Sequence, residues 1–111
     1  MVDDRLSTLT ATAAAAEIAC GAISSEEYAR ACLDRIAMTD GDIKAFAHLD
    51  REHVLAQARA RDERRTERRS LGPLHGVPVA IKDIIDTADY PTELGSPIGV
   101  GRRTRHDAIP V

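Results

Sequence analysis

Tryptophan is absent from this 111-residue chain, and aromatic residues make up only 3% of it. That excludes a stacking platform for nucleic-acid bases, which needs aromatic faces at successive positions. Lysine is scarce too: of 15 Lys+Arg, only Lys44 and Lys82 are lysines. Arginine keeps its proton at any ordinary pH, whereas a partly buried lysine can release it. Among the cationic side chains, base chemistry is therefore open to two positions. The only cysteines, Cys20 and Cys32, lack metal-type spacing. They suit a reduced intracellular protein and read as small apolar fillers on helices. No apolar run approaches membrane length, and no basic-then-apolar leader opens the sequence. The expected setting is the cytoplasm, without a membrane partner. His48, His53, His75 and His106 form no recognisable metal cluster, so no metal and no cofactor are expected.

What is present suits a globular core: 43% of residues are hydrophobic, and the formal net charge of -3 calls for no nucleic-acid partner. An alanine-rich helix is expected from about residue 7 to Cys20, closed by Gly21. Ser24 and Glu27 have the spacing of a capping box, with Ile23 and Tyr28 at the staple positions of a second helix. Tyr28, Cys32, Leu33 and Ile36 form its buried stripe, and "TDGD" is read as its stop. "IKAFAHLD" (Ile43 to Asp50) reads as a strand, with Asp50 capping a third helix apolar at Val54, Leu55 and Ala58. The arginine-rich stretch from Arg59 to Arg69 interleaves Asp62, Glu63 and Glu67, and pairs such as Arg64 with Glu67 fit one helix surface. It is read as a solvated helix end rather than a phosphate-binding patch.

"GPLHGVPVAIKDIID" (Gly72 to Asp86) is the most informative stretch. Val77, Val79, Ala80 and Ile81 read as a short strand, apolar at adjacent positions and hence covered on both faces. Pro78 places the start of pairing after it. Lys82 follows at the strand end, where a lysine must be paired, neutralised or used. A sheet needs more strands than these, so the chain reads as the front portion of a larger domain. The expected divisions are helical 1–42, strand-helix 43–70, and lysine strand and loop 71–111.

"GPLHGVPVAIKDIIDTADYPTELGSPI" resembles the lysine-bearing segment of the amidase signature family, whose members show a "G-P-L-x-G-V/I-P-V/I-A-V/I-K-D" run followed by "D-T-A" and "P-T-x-x-G-S". "GAISSEEYARACLDRI", "IKAFAHLDRE", "VLAQARARDERR" and "HDAIPV" resemble further family elements in the same order. "DTADYPTELGSPI" looks more like the general bacterial amidases than the glutamyl-tRNA amidotransferase A subunits of the same family. The resemblance implies an α/β fold, with a mixed sheet covered by helices and incomplete in this chain. It implies amide hydrolysis by a Ser–cis-Ser–Lys mechanism with a small-molecule amide substrate. Its further implied partner is the rest of the amidase domain, and a homodimer is compatible with it. Only Lys82 carries over as catalytic, as the base. Both serines of the family lie in a glycine- and serine-rich stretch that this sequence does not contain, so the 111-residue chain alone is expected to be inactive.

Ser24-Ser25 is a helix cap by context, and Ser96 in "GSP" matches a loop position rather than the nucleophile. Asp83 and Asp86 are read as local hydrogen-bonding or turn residues, and His75 as a loop residue. "GVG" at Gly99 to Gly101 follows Pro97 and lacks the rest of either phosphate-loop fingerprint. The alternative reading is a non-catalytic, truncated family remnant or interaction module.

Overall fold

The computed structural model describes residues 4–67 and 70–111, and its regular elements are all helical. These are α1 (Asp4–Ser7), α2 (Ala11–Cys20), α3 (Ser25–Ile43), α4 (Arg51–Thr66) and a 3-10 turn at Pro97–Gly99. The chain divides into two compact units. Unit 1 takes the described residues up to Ala45 together with Asp50–Pro78; unit 2 takes Phe46–Leu49 and Val79–Val111.

The helical part follows its local signals closely. Thr10 caps α2 by accepting the Ala13 N–H, which separates α2 from α1 where one continuous helix from about residue 7 was expected. Gly21 closes α2 at φ 77, a left-handed conformation that costs glycine nothing. Ser24 and Glu27 form the capping box, each accepting the other's backbone N–H, at 2.9 and 2.7 Å. The staple residues Ile23 and Tyr28 are both buried in a cluster with Leu6, Ala14, Ile18 and Ala31. Cys32 and Val77 pack against it as half-buried neighbours. A second cluster joins Ala29 and Leu33 of α3 to Leu55 and Ala58 of α4. Cys20 is exposed, so of the two cysteines only Cys32 acts as an apolar filler. Burial pushes the Cys32 thiol up from its ordinary pKa, with a partial offset from Tyr28.

The expected sheet is not there: among the described residues there is no strand, and both strand assignments need correction. "TDGD" does not stop α3, which runs on to Ile43 and ends at Lys44 in the left-handed region. Gly41 inside the helix costs about 1 kcal/mol relative to alanine. Asp40 offsets it: its carbonyl takes the Lys44 N–H at 2.7 Å, and its carboxylate takes the Ala45 N–H at 2.7 Å. The first residues of "IKAFAHLD" are thereby used as a helix end. The "VPVAI" stretch likewise has no partner strand; Val79 is 70% and Ile81 42% exposed. An extended segment is stable only when neighbours take up its backbone groups and cover its side chains. The apolar adjacency of this stretch therefore does not translate into a strand here.

Two acceptors tie together the segments that precede Lys82. Asp62, within the arginine stretch, accepts the N–H groups of Ser25 and Glu26 at 2.7 and 3.0 Å. The first three amides of α3 are then all satisfied, two by α4 and one by the cap. Ser25 is 1% exposed and donates its hydroxyl to the Gly76 carbonyl at 2.8 Å. Gly76 has φ +81, and a Cβ there would meet Ser25 Oγ at 2.9 Å and Ile18 Cγ2 at 3.0 Å. The second glycine of "GPLHG" is thus explained by conformation and by close approach. His75 adds a contact of 2.8 Å to the Arg61 carbonyl. α4 continues into the arginine stretch as far as Thr66, in line with the helix end read there; Arg59 reaches Glu26 at 3.2 Å. Arg68 and Arg69, the end of the expected arginine stretch, lie outside the described residues.

Candidate active-site lysine and its loop

Lys82 lies in unit 2 at the start of a turn closed by the Ile85 N–H on its carbonyl, at 2.9 Å. Its side chain is exposed, and among the described residues its ammonium has no hydrogen-bond or ion-pair partner. The apolar surrounding expected from "VPVAI" is not assembled, since Val79 and Ile81 face solvent. What is assembled is a polar frame behind the lysine.

Asp83 accepts the Glu93 N–H at 2.8 Å on one carboxylate oxygen and the Gly95 N–H at 3.4 Å on the other. Its carbonyl takes the Leu94 N–H at 3.1 Å. Asp86 pairs with Arg102 through both guanidinium nitrogens, at 2.7 and 3.3 Å, and its carbonyl takes the Ala108 N–H at 2.8 Å. The Arg102 guanidinium holds the Asp86 carboxyl below its ordinary range. The buried Thr92 hydroxyl is near enough to draw Asp86 slightly further down, but it stands in no hydrogen-bonding geometry. Both aspartates serve as anchors for the turn.

Glu93 carries the frame onward. Its carboxylate accepts the Gly101 N–H at 2.5 Å and meets His48 Nε2 at 2.5 Å. The Gly101 amide chiefly, and His48 after it, keep the carboxyl below the usual glutamate range. Gly99 has room for nothing larger, because a Cβ there would collide with the Glu93 carbonyl oxygen. Ser96 caps the 3-10 turn by accepting the Ile98 N–H at 3.3 Å. Thr104 donates to the Thr87 carbonyl at 3.3 Å, and Asp107 accepts the Ala88 N–H at 2.8 Å. Glu93 escaped the sequence reading, and His48 figures there only among histidines that form no metal cluster. They stand 45 positions apart, and neither sits in a spacing pattern that would pair them.

Among the described residues, no three His, Cys, Asp or Glu side chains gather where they could hold a metal ion. No helix among them is long and apolar enough to cross a membrane.

Comparison with known proteins places these residues in context. The family model described as Amidase matches residues 27–111, which include the lysine turn and its frame. Curated relatives include the A subunits of two glutamyl-tRNA(Gln) amidotransferases. That of Chloroflexus aurantiacus is 52% identical over 100 residues, and that of Streptomyces coelicolor 48% identical over 100 residues. Each match takes in 90% of this chain and 20% of the relative, so the chain spans about a fifth of the length of these curated relatives. These relatives are amidotransferase A subunits, whereas the loop sequence was expected to resemble the general bacterial amidases more. One solved chain, described as an inhibitor-bound complex from an unexpected vestigial protein complex revealing the evolutionary origins of an s-triazine catabolic enzyme, matches with a TM-score of 0.77. It is 36% identical, and the match covers 84% of this chain and 21% of that one.

Proposed function

The chain belongs to the amidase family, and we propose that it supplies the lysine base of an enzyme that cleaves amide C–N bonds. The observation that carries this reading is Lys82 itself. It is one of only two lysines in the chain, it lies in the family-matched region, and its ammonium is left unpaired above a frame that engages its acidic neighbours. In the mechanism that the family motif implies, a serine hydroxyl attacks the amide carbon. A second serine relays its proton to Lys82, the amine departs with a proton returned by the lysine, and water cleaves the acyl-enzyme. A serine hydroxyl is a weak nucleophile until a positioned base takes its proton. Lysine serves as that base when burial or nearby cationic character favours its neutral form. Both serines, and the polypeptide that would desolvate Lys82, belong to the part of the family domain outside this chain. The relatives favour an amidotransferase version of the same chemistry, in which the nitrogen released from one amide is passed to an acyl acceptor.

The test is a graft in which this chain replaces the matching fifth of the Chloroflexus aurantiacus relative. Turnover of a simple amide and a melting curve are measured for the graft, Lys82→Ala and Lys82→Arg. Both variants should fold and lose several orders of magnitude in kcat, since members of a catalytic unit fail together. Arginine keeps the charge and cannot accept the proton. A Lys82→Arg graft that folds and retains most of its activity would overturn the proposal.

A further inference from the structure

Lys82 is followed by a carboxylate whose oxygens are both taken by main-chain amides, and this arrangement has a use. We propose that Asp83 is the positioning residue for Lys82: the amides of residues 93–95 close around it and fix the turn from which the lysine projects. The proposal rests on the reading of Lys82 as the base.

Three consecutive N–H groups converge on this one residue. Those of Glu93 and Gly95 point to the two carboxylate oxygens, at 2.8 and 3.4 Å, and that of Leu94 points to the carbonyl, at 3.1 Å. Convergence of this kind requires the chain to curl, and the curl is visible: Leu94 has φ 61 and Gly95 φ 63. The two residues form a tight turn closed by the Ser96 N–H on the Glu93 carbonyl at 3.1 Å, and such a turn lets neighbouring amides point to one anion. For glycine the conformation is free. For leucine it is unfavourable, because Cβ crowds the following carbonyl. A strained residue persists only where its surroundings over-determine it, and Asp83 is the anion that does so. No other anion competes for these amides, since the Glu93 carboxylate is turned to Gly101 and His48.

With each oxygen accepting a main-chain N–H, the carboxylate is committed to the loop, and its effect on the reaction runs through Lys82. Asp86 anchors the far end of the same turn, but through an exposed arginine pair that salt screens. Asp83 is bonded directly to the lysine and is held by backbone, so it has the greater leverage on where the amine sits.

The experiment uses the same graft with Asp83→Ala and Asp83→Asn beside Lys82→Ala. Displacing a catalytic group by about 1 Å can cost on the order of 100-fold in rate. Asp83→Ala should therefore lower kcat by about that factor, with KM nearly unchanged, and should move the acidic limb of the pH–kcat profile. Asp83→Asn keeps one acceptor for the Glu93 amide and sets an NH2 against the Gly95 amide. It should give an intermediate loss and faster hydrogen exchange at Glu93, Leu94 and Gly95. If the alanine variant fails to fold, the isosteric asparagine variant carries the test. Active Lys82→Ala would sink the underlying reading of the lysine. Inactive Lys82→Ala, beside a folded Asp83→Asn with unchanged kcat and pH profile, would sink this proposal alone.

Discussion

Replacing Asp62 by alanine should destabilise the helical unit more than any other surface substitution in the arginine-rich stretch. The carboxylate accepts the Ser25 and Glu26 amides at 2.7 and 3.0 Å, the first two of α3. Hydrogen bonds to a charged acceptor contribute about 1.5–3 kcal/mol each, and loss of a helix cap costs about 0.5–2 kcal/mol. The two bonds share one carboxylate and one helix end, so their contributions overlap. The Glu26 amide can regain water, whereas Ser25 is only 1% exposed and its amide cannot do so freely. The expected loss is about 2–3 kcal/mol, dominated by the stranded Ser25 amide. Asp62→Asn retains one acceptor oxygen and should lose about half as much. Urea unfolding followed by the helical circular-dichroism signal reads this unit, because α1 to α4 all lie within it. A loss below about 0.5 kcal/mol for Asp62→Ala would refute the cap assignment and return Asp62 to the solvated surface.

Gly76→Ala should lower stability by at least about 2 kcal/mol in the same assay, combining left-handed strain with a contact of 2.9 Å on Ser25 Oγ. Leu55→Ala should cost about 3 kcal/mol, because Leu55 is 1% exposed between α3 and α4. In acid, the frame of the lysine turn should loosen before the helices. Glu93 and Asp86 are held below their ordinary values of 4.5 and 3.8, so their contribution is present above those values. It fades as the pH falls below them, which amide exchange at Gly101 in the grafted protein would report; exchange there that is flat through the acid range would contradict the assignment.

Local chemistry was legible in the sequence wherever a short pattern decides the structure. The Ser24–Glu27 box, the Gly21 stop and the Asp50 cap each need only three or four residues, and each stands where expected. The buried stripe of α3 was legible for the same reason, with Tyr28 and Leu33 buried and Cys32 partly so. The sheet was misjudged because a strand is not a local object. Adjacent apolar residues in "VPVAI" record what a segment is built to be covered by, and its conformation depends on partners elsewhere. Asp62 was hidden by its setting: between arginines it reads as a surface charge, yet its partners are 36 and 37 positions away. At the candidate site, Asp83 and Asp86 were legible as turn residues. The Glu93–His48 contact, across a long separation, was not.

Unit 2 has no buried large apolar side chain among the described residues; its buried positions are Thr87, Thr92 and Gly99. Val79, Ile81, Ile84, Leu94, Ile98, Val100, Ile109 and Val111 are all exposed. Ordering a backbone costs about 1–2 kcal/mol per residue, and a hydrogen bond returns only about 1 kcal/mol net. A polar frame without apolar burial therefore does not hold itself, and the frame around Lys82 requires a covering polypeptide. In the grafted protein the amides of Glu93, Leu94, Gly95 and Gly101 should exchange slowly. In the 111-residue chain by itself they should exchange at nearly unprotected rates, while α2, α3 and α4 stay protected by their own clusters. Exposed aliphatic surface of this extent should also make the separate chain self-associate as concentration rises. Equal protection of the frame in both settings, in a monodisperse chain, would show that the hydrogen bonds alone sustain it and would remove the need for any cover over Lys82.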